Sequence, residues 1–103
     1  MQSRRQIIGE QLKQEPDDVF LNYALGLEYL SEKNFTQAEQ QFRKTIFLDE
    51  NYLGAHYQLG KTLEHLARVH EALEAFNDGL NKAKQQKNRK SQNEFEEAIF
   101  LLE

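Results

Sequence analysis

The groups in this chain that could bind a metal or move a proton are His56, His65 and His70 and 17 aspartates and glutamates. Two histidines bind zinc from one helix face when they stand four apart, as in His-Glu-x-x-His. Here the spacings are nine and five, and no such run exists. Cysteine is absent, which removes disulfides, thiol nucleophiles and cysteine-ligated zinc. No glycine-rich stretch cradles a phosphate. Carboxylates are scattered as they are on any solvated helix surface. The expectation is a protein that is not an enzyme and uses no cofactor or metal, since a function has to be argued from a site and none is visible. The chemistry that the sequence does offer is contact. Tyr23 and Tyr57 give large contact area with little rotamer entropy to lose. Leu27, Lys61 and Glu64 follow them at helical spacing.

The elements that must hold these side chains are helices. Residues 3–15 read as a short helix with Ile7, Ile8 and Leu12 along one side, ended by Pro16. Asp17 and Asp18 offer a cap for a helix over 18–32. That helix is apolar around almost its whole circumference, with Phe20, Leu21, Tyr23, Leu25, Leu27, Tyr29 and Leu30, so it must be buried on several sides or meet a partner. Asn34-Phe35 makes a turn. Thr36 with Glu39 has the form of a capping box and opens a helix over 36–48. A third pattern spans 52–66, and a fourth runs from Val69 to about 87. Ser91 with Glu94 is a second capping box, opening a last helix to Glu103. No strand pattern occurs. Short turns between successive helices require antiparallel neighbours.

The chain also repeats itself. A shift of 34 places Tyr23 on Tyr57, Leu25 on Leu59, Gly26 on Gly60, Ala38 on Ala72 and Phe42 on Phe76. Roughly two identities would match by chance. Their placement matters more than their number. They fall at Leu-Gly and at Ala-x-x-x-Phe, where a packed helix pair needs a small residue beside a large one, and a period in this range marks a repeat array. Gly26 and Gly60, with Ala38 and Ala72 on the partner helices, let the backbones approach. Phe42 and Phe76 fill the gap that remains.

These residues resemble the tetratricopeptide repeat (TPR) family, whose pattern runs Leu-Gly, aromatic, Ala-x-x-x-Phe, proline. One unit gives Leu25-Gly26, Tyr29, Ala38 and Phe42; the next gives Leu59-Gly60, Leu63, Ala72 and Phe76. Departures exist. Asn22 and His56 replace a large aromatic, Glu50 and Lys84 replace the closing proline, and Thr45 and Gly79 stand where alanine is usual. The resemblance implies an all-α domain, an α-solenoid of antiparallel helix-turn-helix repeats. Residues 3–16 form a half-repeat helix, 17–50 and 51–86 two units, and 88–103 a helix that caps the array. His56 would fill the slot of the missing aromatic, with His65 and His70 solvated at the turn of Ala67-Arg68.

In the family, the first helix of each pair lines a concave face that binds extended peptides or a partner helix. Carried over, the contact residues here are Tyr23, Leu27, Tyr57, Lys61 and Glu64. Phe20 and Leu30 either extend that surface or pack on the N-terminal helix. Some relatives hold acidic chaperone tails with a clamp of lysines and asparagines. Leu27 and Lys61 occupy asparagine positions of that clamp, so an apolar or mixed peptide fits better.

Two rival readings come from other features. The apolar helix over 18–32 could be a homodimer seam, because two full repeats fall short of the three an array usually needs. Lys82, Lys84, Lys87, Arg89 and Lys90 could bind nucleic acid or an acidic partner. A net charge of −4 and the lack of aromatics among these lysines count against nucleic acid. Cations near a helix C-terminus have a simpler explanation in the helix dipole. There is no long apolar run, and Ile7-Ile8 before Gly9 is too short for a signal peptide, so a cytoplasmic protein without membrane contact is expected.

Overall fold

A computed structural model describes all 103 residues. Six helices and no strand account for the fold: α1 (Arg4–Gln14), α2 (Val19–Ser31), α3 (Phe35–Leu48), α4 (Leu53–His65), α5 (Val69–Gln85) and α6 (Arg89–Leu102). Each packs mainly on its neighbours in sequence, so α1 meets α2, α2 meets α3, and so on to α6. The result is an elongated body of 42 × 28 × 19 Å. None of its helices is long and apolar enough to cross a membrane.

Local chemistry sets the helix ends. Ser3 and Gln6 form a reciprocal capping box at α1, a signal the sequence reading passed over. The Asp18 side chain accepts from the Leu21 amide at 2.8 Å, as expected. The two expected capping boxes at Thr36 and Ser91 do not form. The Asn34 side chain caps α3 by accepting from the Gln37 amide, and the Asn88 side chain caps α6 by accepting from the Ser91 amide. Thr36 and Ser91 lie inside the first turn, because each helix starts directly after a left-handed residue that reverses the chain.

Those left-handed residues are Lys33, Ala67 and Lys87, with φ of 60°, 61° and 57°. At each, the next amide reaches back five residues: Asn34 to the Tyr29 carbonyl, Arg68 to Leu63, Asn88 to Ala83. This is the Schellman arrangement, usually built on glycine because a Cβ crowds the left-handed backbone. Ala67→Gly should therefore raise stability by about 0.5–1 kcal/mol, strain relief outweighing the added freedom of the unfolded chain. Chemical denaturation would show an unchanged slope and a higher midpoint.

The main core runs through α3–α6 and holds Phe42, Phe76 and Phe95, all essentially inaccessible to solvent. Each ring packs directly against a glycine of the neighbouring helix. A Cβ on Gly26 would collide with Phe42, on Gly60 with Phe76 and on Gly79 with Phe95. Each pair is separated by sixteen residues. Gly79, which departs from the family's alanine, is thus the seat for the last helix. A smaller cluster of Ile8, Ala24 and Leu25 ties α1 to α2. Asn22 and His56, 34 apart, do the same work: both are buried and bond the carbonyl six residues back, Asn22 to Pro16 at 3.0 Å and His56 to Glu50 at 2.7 Å.

An ionic lattice joins α3 to α5. Arg68 grips Glu39 at 2.7 Å and Glu71 at 2.6 Å, and Arg43 binds Glu39 at 2.9 Å. Burial alone would push the Glu39 carboxyl up; hydrogen bonds from Arg68 and Arg43 outweigh it and hold the group below its ordinary 4.5. The Glu71 carboxyl is lowered chiefly by its Arg68 bond. Both carboxylates thus take up protons less readily when folded than when unfolded. Their contribution to stability is present above about pH 4.5 and is lost as pH falls through the lower folded values. Thermal melts between about pH 7 and pH 3 should show this decline, and Arg68→Gln should make it shallower.

Candidate functional site

One cleft is lined by residues of α2, α4 and α6. Tyr23 and Tyr57, equivalent in the two units, line it together with Leu53, Gly54 and Gln58 of α4 and Ser91, Glu94 and Phe95 of α6. Neither tyrosine projects freely. Tyr23 is half-buried, its ring centroid 5.8 Å from Phe42 and 4.9 Å from Tyr52. Tyr57 lies 5.8 Å from both Phe76 and Phe95. Both rings therefore line the cleft while packing against core phenylalanines. Burial pushes the Tyr23 hydroxyl up, aided by Tyr52 and opposed by the neighbouring Gln58 side chain. It stays protonated at neutral pH and can donate to a bound peptide.

Further along, Leu30 and Phe35 face Tyr57, Gln58, Lys61 and His65 across a second, more open part of the groove. Lys61 sits 5.9 Å above the Tyr57 ring and pairs with Glu64 at 3.7 Å. His65 is not simply solvated at its turn: it stacks on Phe35 at 4.5 Å with the rings nearly parallel. Leu27 packs half-buried against the main core. Phe20 is 65% exposed and stands apart from the cleft. The structure thus gathers Tyr23, Tyr57, Leu30 and Lys61 along the groove, while Phe20, Leu27 and Glu64 line neither part of it.

Residues that the sequence reading left out also line the groove, among them Gln58, Leu53, Ser91 and Glu94. The last two escaped because α6 was expected only to cap the array. One signal could have shown otherwise. The sixteen-residue step from glycine to phenylalanine recurs at Gly79 and Phe95, which docks α6 as a further groove helix.

The rival surfaces are less open than the sequence suggested. The apolar circumference of α2 is used up by α1 and α3, and of its large side chains Phe20 alone is mostly exposed. In the basic stretch, Lys82 pairs with Glu50 at 3.3 Å, and Lys82 and Lys84 sit in the last turn of α5, where cations are favoured. His70 is exposed and pairs with Glu74.

Known proteins bear on this geometry. The solution structure of a tetratricopeptide repeat domain protein from Salinibacter ruber is 32% identical to this chain, covers 85% of it and 89% of its own length, and superposes with a TM-score of 0.80. The chain belongs to the tetratricopeptide repeat family. A family model described as anaphase-promoting complex, cyclosome, subunit 3 also matches it, over residues 5–79. A tetratricopeptide fold is shared with a Bordetella parapertussis protein, 26% identical, at a TM-score of 0.87 over 99% of this chain and 89% of that one. The TPR2B domain of yeast Sti1, seen in complex with an Hsp70 segment, is 18% identical and matches at 0.89 over 95% of this chain and 78% of that one. No curated protein matches the chain.

Proposed function

We propose that this tetratricopeptide domain is a non-catalytic protein-interaction module that binds a peptide or helix of a partner along its concave face. The observation that carries the reading is the cleft in which three helices bring Tyr23, Tyr57, Gln58 and Glu94 together. Half-exposed tyrosines on a rigid scaffold give contact area without ordering cost, and Gln58, Ser91 and Glu94 supply polar atoms for a backbone or side chains. The Sti1 domain, seen with an Hsp70 segment, supports a peptide occupant for a scaffold of this shape. Glu94 on the wall opposes an acidic tail, so a neutral or mixed peptide fits this groove better.

The test is selection of binders from a displayed random-peptide library, followed by amide NMR mapping of the strongest peptide. Its shifts should fall on Tyr23, Tyr57, Gln58, Ser91 and Glu94. Gln58→Lys with Lys61→Glu should weaken it by about tenfold or more. These positions are chosen because Tyr23→Glu would tear a ring from beside Phe42 and unsettle the fold. Shifts confined to another face, or unchanged affinity in the double variant, would sink the assignment.

A further inference from the structure

We infer that the edge formed by the turns α1–α2, α3–α4 and α5–α6 pairs two copies of this chain, the acidic turn of each resting on the basic turn of the other. Successive helices run antiparallel, so these three turns lie on one edge. Contacts join them in a row. Tyr23 of α2 packs on Tyr52 of the middle turn at 4.9 Å. The Gln86 side chain of the last turn donates to the Asn51 carbonyl of the middle one at 2.8 Å.

Charge is separated along this edge. The first turn holds Glu15, Asp17 and Asp18, and the last holds Lys84, Lys87, Arg89 and Lys90. Asp18 caps α2. The other six groups are exposed, and none of them is in an ion pair. The turn between them is closer to balance. Glu50 binds Lys82 at 3.3 Å, and the Asp49 carboxylate accepts from the Asn51 amide at 3.0 Å.

Like charges on a helix surface are ordinary, and neither patch alone names a partner. Two further observations do. The helix dipole accounts for Lys84 at the end of α5, but it works against Arg89 and Lys90. Those two open the first turn of α6, which has no acidic residue. They therefore stand where they weaken their own helix. The second observation is symmetry. Acid and base lie at opposite ends of one edge, with a nearly balanced turn midway. A two-fold axis through that middle turn sets both basic turns on both acidic turns at once, an isologous contact that closes at two copies. Phe20, 65% exposed beside Asp18 and apart from the groove, then meets Arg89 and Lys90 of the second copy, whose stems and charges suit an aromatic face. Nucleic acid fits this edge less well, because Glu15, Asp17 and Asp49 repel phosphate. Exposed ion pairs are individually weak, so the pairing is reversible and needs concentrated protein.

The test is sedimentation equilibrium of the intact chain from about 10 µM to 1 mM, in about 0.05 M and 0.5 M salt. A monomer–dimer equilibrium is expected, weaker at the higher salt. Lys84→Glu, Arg89→Glu and Lys90→Glu together should abolish the dimer. The melting temperature should barely move, since the gain at positions 89 and 90 offsets the loss at 84. Glu15→Lys with Asp17→Lys should abolish the dimer as well. Mixing the two variants should restore a one-to-one pair, because acid again faces base in both contacts. None of the altered residues lines the groove, so peptide binding there should persist in both variants. A monomer at about 1 mM in low salt, growth past two copies, or variants that stay monomeric when mixed would each overturn the pairing. Capture of a fluorescent oligonucleotide in place of self-association would give the basic turn to nucleic acid instead.

Discussion

Phe76→Ala is expected to lower the unfolding free energy by about 3–5 kcal/mol, the range for truncating a fully buried phenylalanine. Phe76 has no solvent exposure, packs directly on Gly60 of α4, and has its ring centroid 5.8 Å from that of Tyr57. The void cannot close easily, because α4 and α5 are already as near as a glycine permits. In a domain whose total stability is of the order of 5–15 kcal/mol, the loss is a large share of the whole. The melting temperature should drop by about 15–30 °C. Phe47→Ala is the control. Its ring is 87% exposed, so the same change there should stay within about 0.5 kcal/mol. Gly60→Ala attacks the contact from the other side. Its Cβ would strike the Phe76 ring, an overpacking cost of about 1–3 kcal/mol. Combined with Phe76→Leu, which takes away the ring, Gly60→Ala should cost less than the two single changes added together. Strict additivity would mean that the glycine is not a seat for the ring.

Phe95→Ala should act locally and almost as strongly. α6 rests mainly on α5, with Phe95 against Gly79 and Tyr57 as its buried anchor. A terminal helix with one main neighbour has little else to hold it, since isolated helices of this length are marginal in water. The side chain's loss, again about 3–5 kcal/mol, should therefore appear as opening of α6 before the rest unfolds. Hydrogen exchange should speed up across Arg89–Leu102 while amides in α2–α4 keep their protection. Peptide binding should fall in step, because Ser91 and Glu94 leave the groove with the helix. Uniform acceleration over the whole chain would show that α6 is a full member of the cooperative unit. The groove reading would then have to rest on its α2 and α4 walls alone.

How much was legible beforehand differs by level. Helix number, helix order and the seating of Phe42 and Phe76 were readable, because a 34-residue echo with small residues opposite rings leaves few ways to pack. Capping was readable only where the cap residue precedes the helix without a special turn, as at Asp18. At Thr36 and Ser91 the box pattern was present but unused. Nothing in those side chains reveals that Lys33 and Lys87 adopt left-handed backbone and so start the helix earlier at Asn34 and Asn88. The groove was half legible. Tyr23, Tyr57 and Lys61 followed from position within the repeat, while Leu27 and Glu64 followed from the same rule and do not line it. Helix rotation decides between such neighbours, and rotation is set by packing across the core.

The sequence alone determined the kind of object this is. Periodic apolar residues with Leu-Gly and Ala-x-x-x-Phe at a fixed step force helices into antiparallel pairs, since only that packing buries every ring against a small partner. It also determined that no cysteine chemistry is available. The tertiary structure decided what those helices bring together. Glu94 meets Tyr57 because α5 runs to Gln85, and Phe95 then finds Gly79. His56 comes beside Asp78 because α4 and α5 pack directly on each other. Local propensity acts over a few residues, whereas these meetings depend on the summed geometry of several helices, which no short stretch of chain encodes.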